Sequence, residues 1–257
     1  MASCCNPRGC DRFFGRRFAR RVARKYREGG LDDTAQRMVD FLAERGIEGA
    51  TVLEVGGGVG EIQIELLKRG AASAVNLELS PGYEEEAARL LRENGLEERV
   101  ERRLHDIAAA PAAVESADVV VLNRVVCCYP DYERLLGVAA QHARRLHDIA
   151  AAPAAVEPAD VVVLNRVVCC YPDYERLLGV AAQHARRLLV FSYPPRNPVS
   201  RLVVKTQNLV FRLLRREFRT FAHPPTRMLA VLEREGLRRT YAHHPRIWQI
   251  AGLERAS

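Results

Sequence analysis

Along the chain the apolar positions change period several times, and each change marks an element. Phe14, Phe18, Val22 and Tyr26 recur every fourth residue among arginines, a helical stripe that would dock on a domain while the charges face water. Residues 33–45 carry Met38, Phe41 and Leu42 at helical spacing and stop near Gly46, which suits a C-terminal cap. Residues 51–55 form a short apolar run ending in glycines, followed by a helix with Ile62, Leu66 and Leu67 on one side and Gly70 at its end. A second strand is expected at 74–79, a helix from Ser80-Pro81 to Gly95, and a weaker third strand at 100–104. A strongly apolar fourth strand follows at 118–126, with a helix at 132–143 behind it. The same pair recurs at 160–168 and 174–187. Then come a strand at 188–193, an amphipathic stretch at 200–221, a helix at 225–235 and strands at 239–243 and 247–253. Strands apolar on both faces that alternate with helices predict an α/β protein, a mainly parallel sheet with helices on both faces.

The recurrence is a duplication. Residues 102–146 and 144–188 agree at every aligned position except Ser116 against Pro158, at an offset of 42 residues. Solenoid repeats need about three or more copies with atypical caps. Two near-identical copies meet neither condition, so the unit reads as a strand-helix insertion (102–143 repeated as 144–185) in an otherwise ordinary domain. The first copy follows the third strand directly and is expected to keep the fourth-strand place. The second is then an extra parallel strand, compatible with right-handed crossovers. In this reading residues 1–48 are basic helices packing on the core and residues 49–257 are the domain itself.

Composition adds limits. The 257 residues are 48% hydrophobic and 28% charged, which excludes collagen-like and wholly disordered chains. No apolar run reaches the roughly 18 residues of a membrane span, and the Arg-rich start does not resemble a signal core, so a cytoplasmic protein is the expectation. The net charge of +7 resides in the first thirty residues, which hold nine Arg/Lys against Asp11 and Glu28. Seven cysteines, four of them in the adjacent pairs Cys127/Cys128 and Cys169/Cys170, argue against a disulfide framework. Cys4, Cys5 and Cys10 lack a fourth ligand at metal spacing and read as free thiols, so no metal is expected.

The sharpest chemistry lies at the first strand-to-helix turn, Glu54-Val55-Gly56-Gly57-Gly58-Val59-Gly60. A dinucleotide fingerprint would need glycine where Glu61 or Gln63 stands, and a P-loop would need a following Gly-Lys-Ser/Thr. An acid before Gly-x-Gly-x-Gly, with Glu78 ending the next strand, does fit a cofactor carrying adenosine, whose ribose hydroxyls a carboxylate can hold. With these motifs the chain resembles the class I S-adenosylmethionine-dependent methyltransferases, from about residue 50 to the end of the fifth strand. That resemblance implies a Rossmann-like fold and S-adenosylmethionine as cofactor. It places Gly56, Gly58 and Gly60 against the methionine and ribose parts, and Glu54 in support of the loop or the amino group. It also implies that Glu78 holds the ribose, that Asp106 meets the adenine amine, and that Asn123 is the fourth strand's contact.

Residues 124–131 and 191–198 are also similar to the magnesium-protoporphyrin O-methyltransferase branch, whose acceptor is a propionate on a planar ring. In that picture the basic leader and the stretch around Leu202, Leu209, Leu213 and Leu214 would cover the acceptor. The expected function is methyl transfer to a small molecule of acidic or amphipathic kind. Two alternatives remain beside it: a nucleic-acid methyltransferase led by the Arg-rich helix, and a methyltransferase-like protein impaired by the duplication. No stable nucleic-acid partner is expected, since the chain beyond residue 30 is neutral. The basic leader could meet an anionic lipid surface, which leaves room for peripheral membrane contact. The sequence identifies no catalytic base: His223, Tyr193 and Tyr129 lie on segments facing the pocket, but such residues more often pack than titrate.

Overall fold

The computed structural model describes residues 15–107, 109–110, 114–125, 159–213 and 219–256. Eight strands form one sheet: β1 (Thr51–Val55), β2 (Ser73–Glu78), β3 (Val100–Leu104), β4 (Val119–Asn123), β5 (Ala159–Asn165), β6 (Ala185–Tyr193), β7 (Leu237–His243) and β8 (Gln249–Arg255). Their order is β3-β2-β1-β4-β5-β6-β8-β7. The first six run parallel, and β8 enters antiparallel between β6 and β7. Among the described residues seven α-helices surround the sheet: α1 (Arg16–Gly29), α2 (Asp33–Ala43), α3 (Glu61–Lys68), α4 (Glu84–Asn94), α5 (Tyr174–His184), α6 (Pro198–Leu213) and α7 (Pro225–Arg234).

Strand periodicity divides the core in two. Val120 and Leu122 face a layer built with Leu177, Leu178, Met228 and Leu232 of α5 and α7. Val119 and Val121 face the opposite layer, where Met38, Phe41, Leu66 and Leu90 come from α2, α3 and α4. Helix α1 joins this second layer through Ala19, Ala23 and Tyr26. The anticipated stripe is thus rotated by about one residue. Two alanines allow close approach, while Phe18 and Val22 stay half-buried and Phe14 lies outside the described residues.

The two copies of the repeat lie side by side. β4 pairs with β1, and β5 pairs with β4 so that equivalent residues face each other, from Val119 with Val161 to Asn123 with Asn165. Both strands end earlier than their apolar runs, because Arg124 and Arg166 each adopt φ 57° and turn the backbone out of the sheet. The helix of the second copy also stops early, at His184 rather than Arg187. Residues from Ala185 onward join β6, where Arg186 donates to Asp160 at 2.5 Å. The first copy's helix expected at 132–143 lies outside the described residues, as do Cys4, Cys5, Cys10, Cys127, Cys128, Tyr129 and Leu214.

Candidate active site

Ligands of open parallel sheets bind beyond the carboxyl ends of the strands, and the residues singled out by sequence converge on that edge. The turn after β1 uses left-handed backbone at Gly56, Gly58 and Gly60. A side chain at Gly56 would meet Val125 Cβ at 2.7 Å, and one at Gly57 would meet Asn76 Nδ2 at 2.2 Å. At those two positions the glycines serve packing beneath the turn. Gly58 is different: both its peptide groups are held, the N–H by Glu78 Oε2 at 2.9 Å and the carbonyl by Arg102 Nη2 at 3.0 Å.

Glu54 is fully buried under this turn and accepts from the Gln63 N–H at 3.3 Å, bracing the start of α3. Its Oε1 has no hydrogen-bond partner. Burial, reinforced by Glu61, raises its carboxyl well above the usual range, against the opposing pull of Gln63, Arg102 and Asn123. Glu78 accepts from Leu79 N–H at 2.8 Å and Ser80 N–H at 3.0 Å in addition to Gly58. A carboxylate offers about four lone-pair positions, so a ribose diol would share Oε2 with Gly58 or displace the two outer donors. Leu79 follows Glu78 in the chain and Leu104 is its register partner on β3, and the two apolar side chains are 45% and 56% exposed. Asp106, past the end of β3, accepts from Ala109 N–H at 3.3 Å on this same rim. The bare turn at Gly58, the carboxylate beside it and the uncovered apolar pair fit an adenosine.

Asn123 ends β4 next to β1, its carbonyl 3.3 Å from where a Gly56 Cβ would sit. It begins a buried polar row across three strand ends: Asn165 Nδ2 donates to Asn123 Oδ1 at 3.2 Å, and Ser192 Oγ donates to Asn165 Oδ1 at 3.1 Å. The duplicate Asn165 therefore stands one strand farther from the glycine turn.

Beyond Gly60 a cavity of about 290 Å³ opens between α1, the start of α3 and the ends of β4 and β5. Arg21, Lys25, Arg124 and Arg166 line it together with the carboxylates of Asp32 and Glu61. Asp32, the N-cap of α2, receives Arg166 at 2.7 Å and Arg124 at 3.7 Å, so two guanidiniums share one carboxylate. Arg166 Nε is buried without a partner, and burial, together with the neighbouring Arg124, lowers its affinity for its proton. The basic leader that supplies Arg21 and Lys25 was expected over the acceptor, whereas the sequence did not single out Asp32, Arg102, Arg124 or Arg166. Charged positions inside or just after apolar strands were the available signal, but spacing does not reveal which element they reach.

Two expectations about the acceptor side change. Leu202, Leu209 and Leu213 point to solvent and cover nothing, and the cover over the strand ends is α1. His223 is buried between the rings of Tyr174 and Phe221 with Nε2 2.7 Å from the Tyr171 carbonyl, and burial lowers its pKa. Tyr193 is a buried core residue whose pKa burial raises.

The model of a methyltransferase domain matches residues 23–240. The chain belongs to this methyltransferase family. Its cofactor is S-adenosylmethionine, and the enzyme has the class I fold with one additional strand. Solved structures share that fold. Magnesium protoporphyrin IX methyltransferase from Synechocystis PCC 6803 with bound SAH is 18% identical over 97% of this chain and 99% of that one, with a TM-score of 0.56. An O-methyltransferase family 2 protein from Planctomyces limnophilus in complex with apigenin is 15% identical over 93% of this chain and 62% of that one, with a TM-score of 0.53. No curated protein sequence matches the chain.

Proposed function

We propose that the enzyme methylates a small anionic molecule whose acid group is held in the cavity under α1. The observation that carries this reading is the charge of that cavity: four cationic side chains against two carboxylates, immediately past the glycine turn. In the proposed arrangement Leu79, Leu104 and Asp106 face the adenine and Glu78 the ribose, with the backbone of the turn through Gly56, Gly58 and Gly60 against the methionine arm. Glu54 braces the turn from below, and Asn123 stands between cofactor and acceptor. S-adenosylmethionine, when bound, supplies an electrophilic methyl group, and the chain's own contribution is then positioning, which can supply most of the rate of an in-line displacement. The cavity lies at the lower end of ordinary ligand pockets, roughly 300 to 1,000 Å³. It suits a compact acid or one acidic arm of a larger acceptor. The left-handed backbone at Arg124 and Arg166 supports a functional reading as well, since such residues cost about 1–2 kcal/mol each and concentrate at sites. Two structural neighbours, a magnesium protoporphyrin IX methyltransferase and an O-methyltransferase family 2 protein in complex with apigenin, are likewise associated with small molecules.

The nucleic-acid reading has less support. Arg20 and Arg27 of α1 face Glu85, Glu86 and Glu93 of α4, so part of its positive charge is already paired. Incubation with methyl-labelled S-adenosylmethionine and a panel of small carboxylic and phosphoric acids should transfer label, and the corresponding neutral amides should not accept it. Arg166→Gln should raise KM for the accepted acid by about tenfold, the loss of one charged hydrogen bond. Equal transfer to acids and amides would contradict the proposal.

A further inference from the structure

Nine large apolar side chains are exposed among the described residues; Leu79 and Leu104 belong to the cofactor edge of the sheet, and six of the other seven share one helix, α6. Leu79 follows β2 and Leu104 ends β3. Ile247 occupies the turn that leads into β8 opposite the end of β6, and the other six are on α6, which follows β6 directly. Scattered exposed apolar residues are ordinary on a soluble protein, but six on one helix mark an interaction surface.

Helix α6 has three distinct sides. At about 100° per residue, Ser200, Val204, Asn208 and Phe211 fall together, and these are its half-buried positions. Asn208 ties that side to the body, donating to the Thr220 carbonyl at 2.8 Å and accepting its N–H at 2.9 Å. Directly opposite, Val199, Leu202, Val203, Leu209, Val210 and Leu213 occupy an arc of about 120°. Val199, Leu202 and Leu213 are 70%, 66% and 73% exposed. Arg201, Lys205 and Arg212 fill one flank between these two sides, and the helix contains no Asp or Glu. An anchored helix with its apolar face turned outward, cations along the flank and no acid is built like an interfacial helix.

We propose that this face docks on an anionic lipid surface, with α6 lying in the plane of the headgroups. Charge chooses lipid over a second copy of the chain. Two-fold contact through α6 would bring the cationic flank against its own equivalent, whereas anionic headgroups neutralise it. The solvent-facing arginines of α1, which lies over the ends of β4 and β5, add to the attraction. No helix among the described residues is long and apolar enough to cross a membrane, so docking is superficial. The cavity under α1 would then open beside the lipid.

Flotation of the full chain with vesicles tests this without any methyl transfer. The protein should float with vesicles containing about one-third phosphatidylglycerol and stay behind with pure phosphatidylcholine, and about 0.5 M salt should release it. The triple change Leu202→Ser, Leu209→Ser and Leu213→Ser should lower the bound fraction about tenfold. All three side chains are exposed, so the variant should keep its melting temperature and its affinity for S-adenosylhomocysteine. A wild-type chain that stays behind with anionic vesicles, or a triple variant that floats equally well, would overturn the proposal. So would a wild-type dimer that the triple variant converts to monomer without any vesicle binding, which would assign the face to a contact between copies.

Discussion

Gly58 shows how single residues set this site, since Glu78 holds its N–H and Arg102 its carbonyl while Arg102 also pairs with Glu84 at 2.7 Å. Arg102→Met should therefore weaken S-adenosylhomocysteine binding by about tenfold, and Arg102→Lys should restore part of it, because lysine supplies charge without the fork. Calorimetry reads both. Gly57→Ala acts on packing instead. Its methyl would sit 2.2 Å from Asn76 Nδ2, and denaturant melts should show a loss of about 1–3 kcal/mol. Glu54 makes a pH prediction with a definite sign. Its folded pKa is raised by burial, so its contribution to stability is fully present below the unfolded value of about 4.3 and is lost as pH rises through the folded value. Glu54→Gln should then raise the melting temperature more at pH 8 than at pH 5; an equal shift at both would contradict the assignment. The glycines, Glu54 and Glu78 were visible in the sequence because their chemistry is local to one turn. Arg102, Asp32, Arg124 and Arg166 were not, because each acts across strands or helices that only the fold brings together.

The elements carry the clearest consequence of the duplication. Identical sequences occupy neighbouring places and make different bonds: Asp118 accepts from Thr51 N–H at 2.9 Å, whereas its equivalent Asp160 accepts from Arg186. Val121 and its equivalent Val163 are both core residues, 0% and 2% exposed. Val121→Ala and Val163→Ala should each destabilise the protein by about 1–3 kcal/mol in denaturant melts. A neutral result for one of them would mean that only one copy is docked. Strand positions were legible because runs of valine and leucine leave few other solutions. Strand ends were not, because they depend on the backbone turning at Arg124 and Arg166, and arginine carries no turn signal. The docking face of α1 was misjudged for a related reason: small alanines, rather than the larger Phe18 and Val22, permit the closest helix approach.

For the whole molecule, β5 separates β4 from β6 and so sets β6 and the strands beyond it one strand spacing, about 4.8 Å, farther from the glycine turn. The turn, Glu78 and Asn123 all lie on the near side of that insertion. A chain lacking residues 144–185 should therefore bind S-adenosylhomocysteine as well as the intact chain does, while its turnover changes. Everything proposed for the enzyme depends on the cofactor lying over the glycine turn with Glu78 at its ribose. The most direct test is calorimetric titration of the wild-type and Glu78→Ala proteins with S-adenosylhomocysteine. The titration should show one site per chain, weakened about tenfold to a hundredfold by the substitution. Unchanged affinity in Glu78→Ala would contradict it.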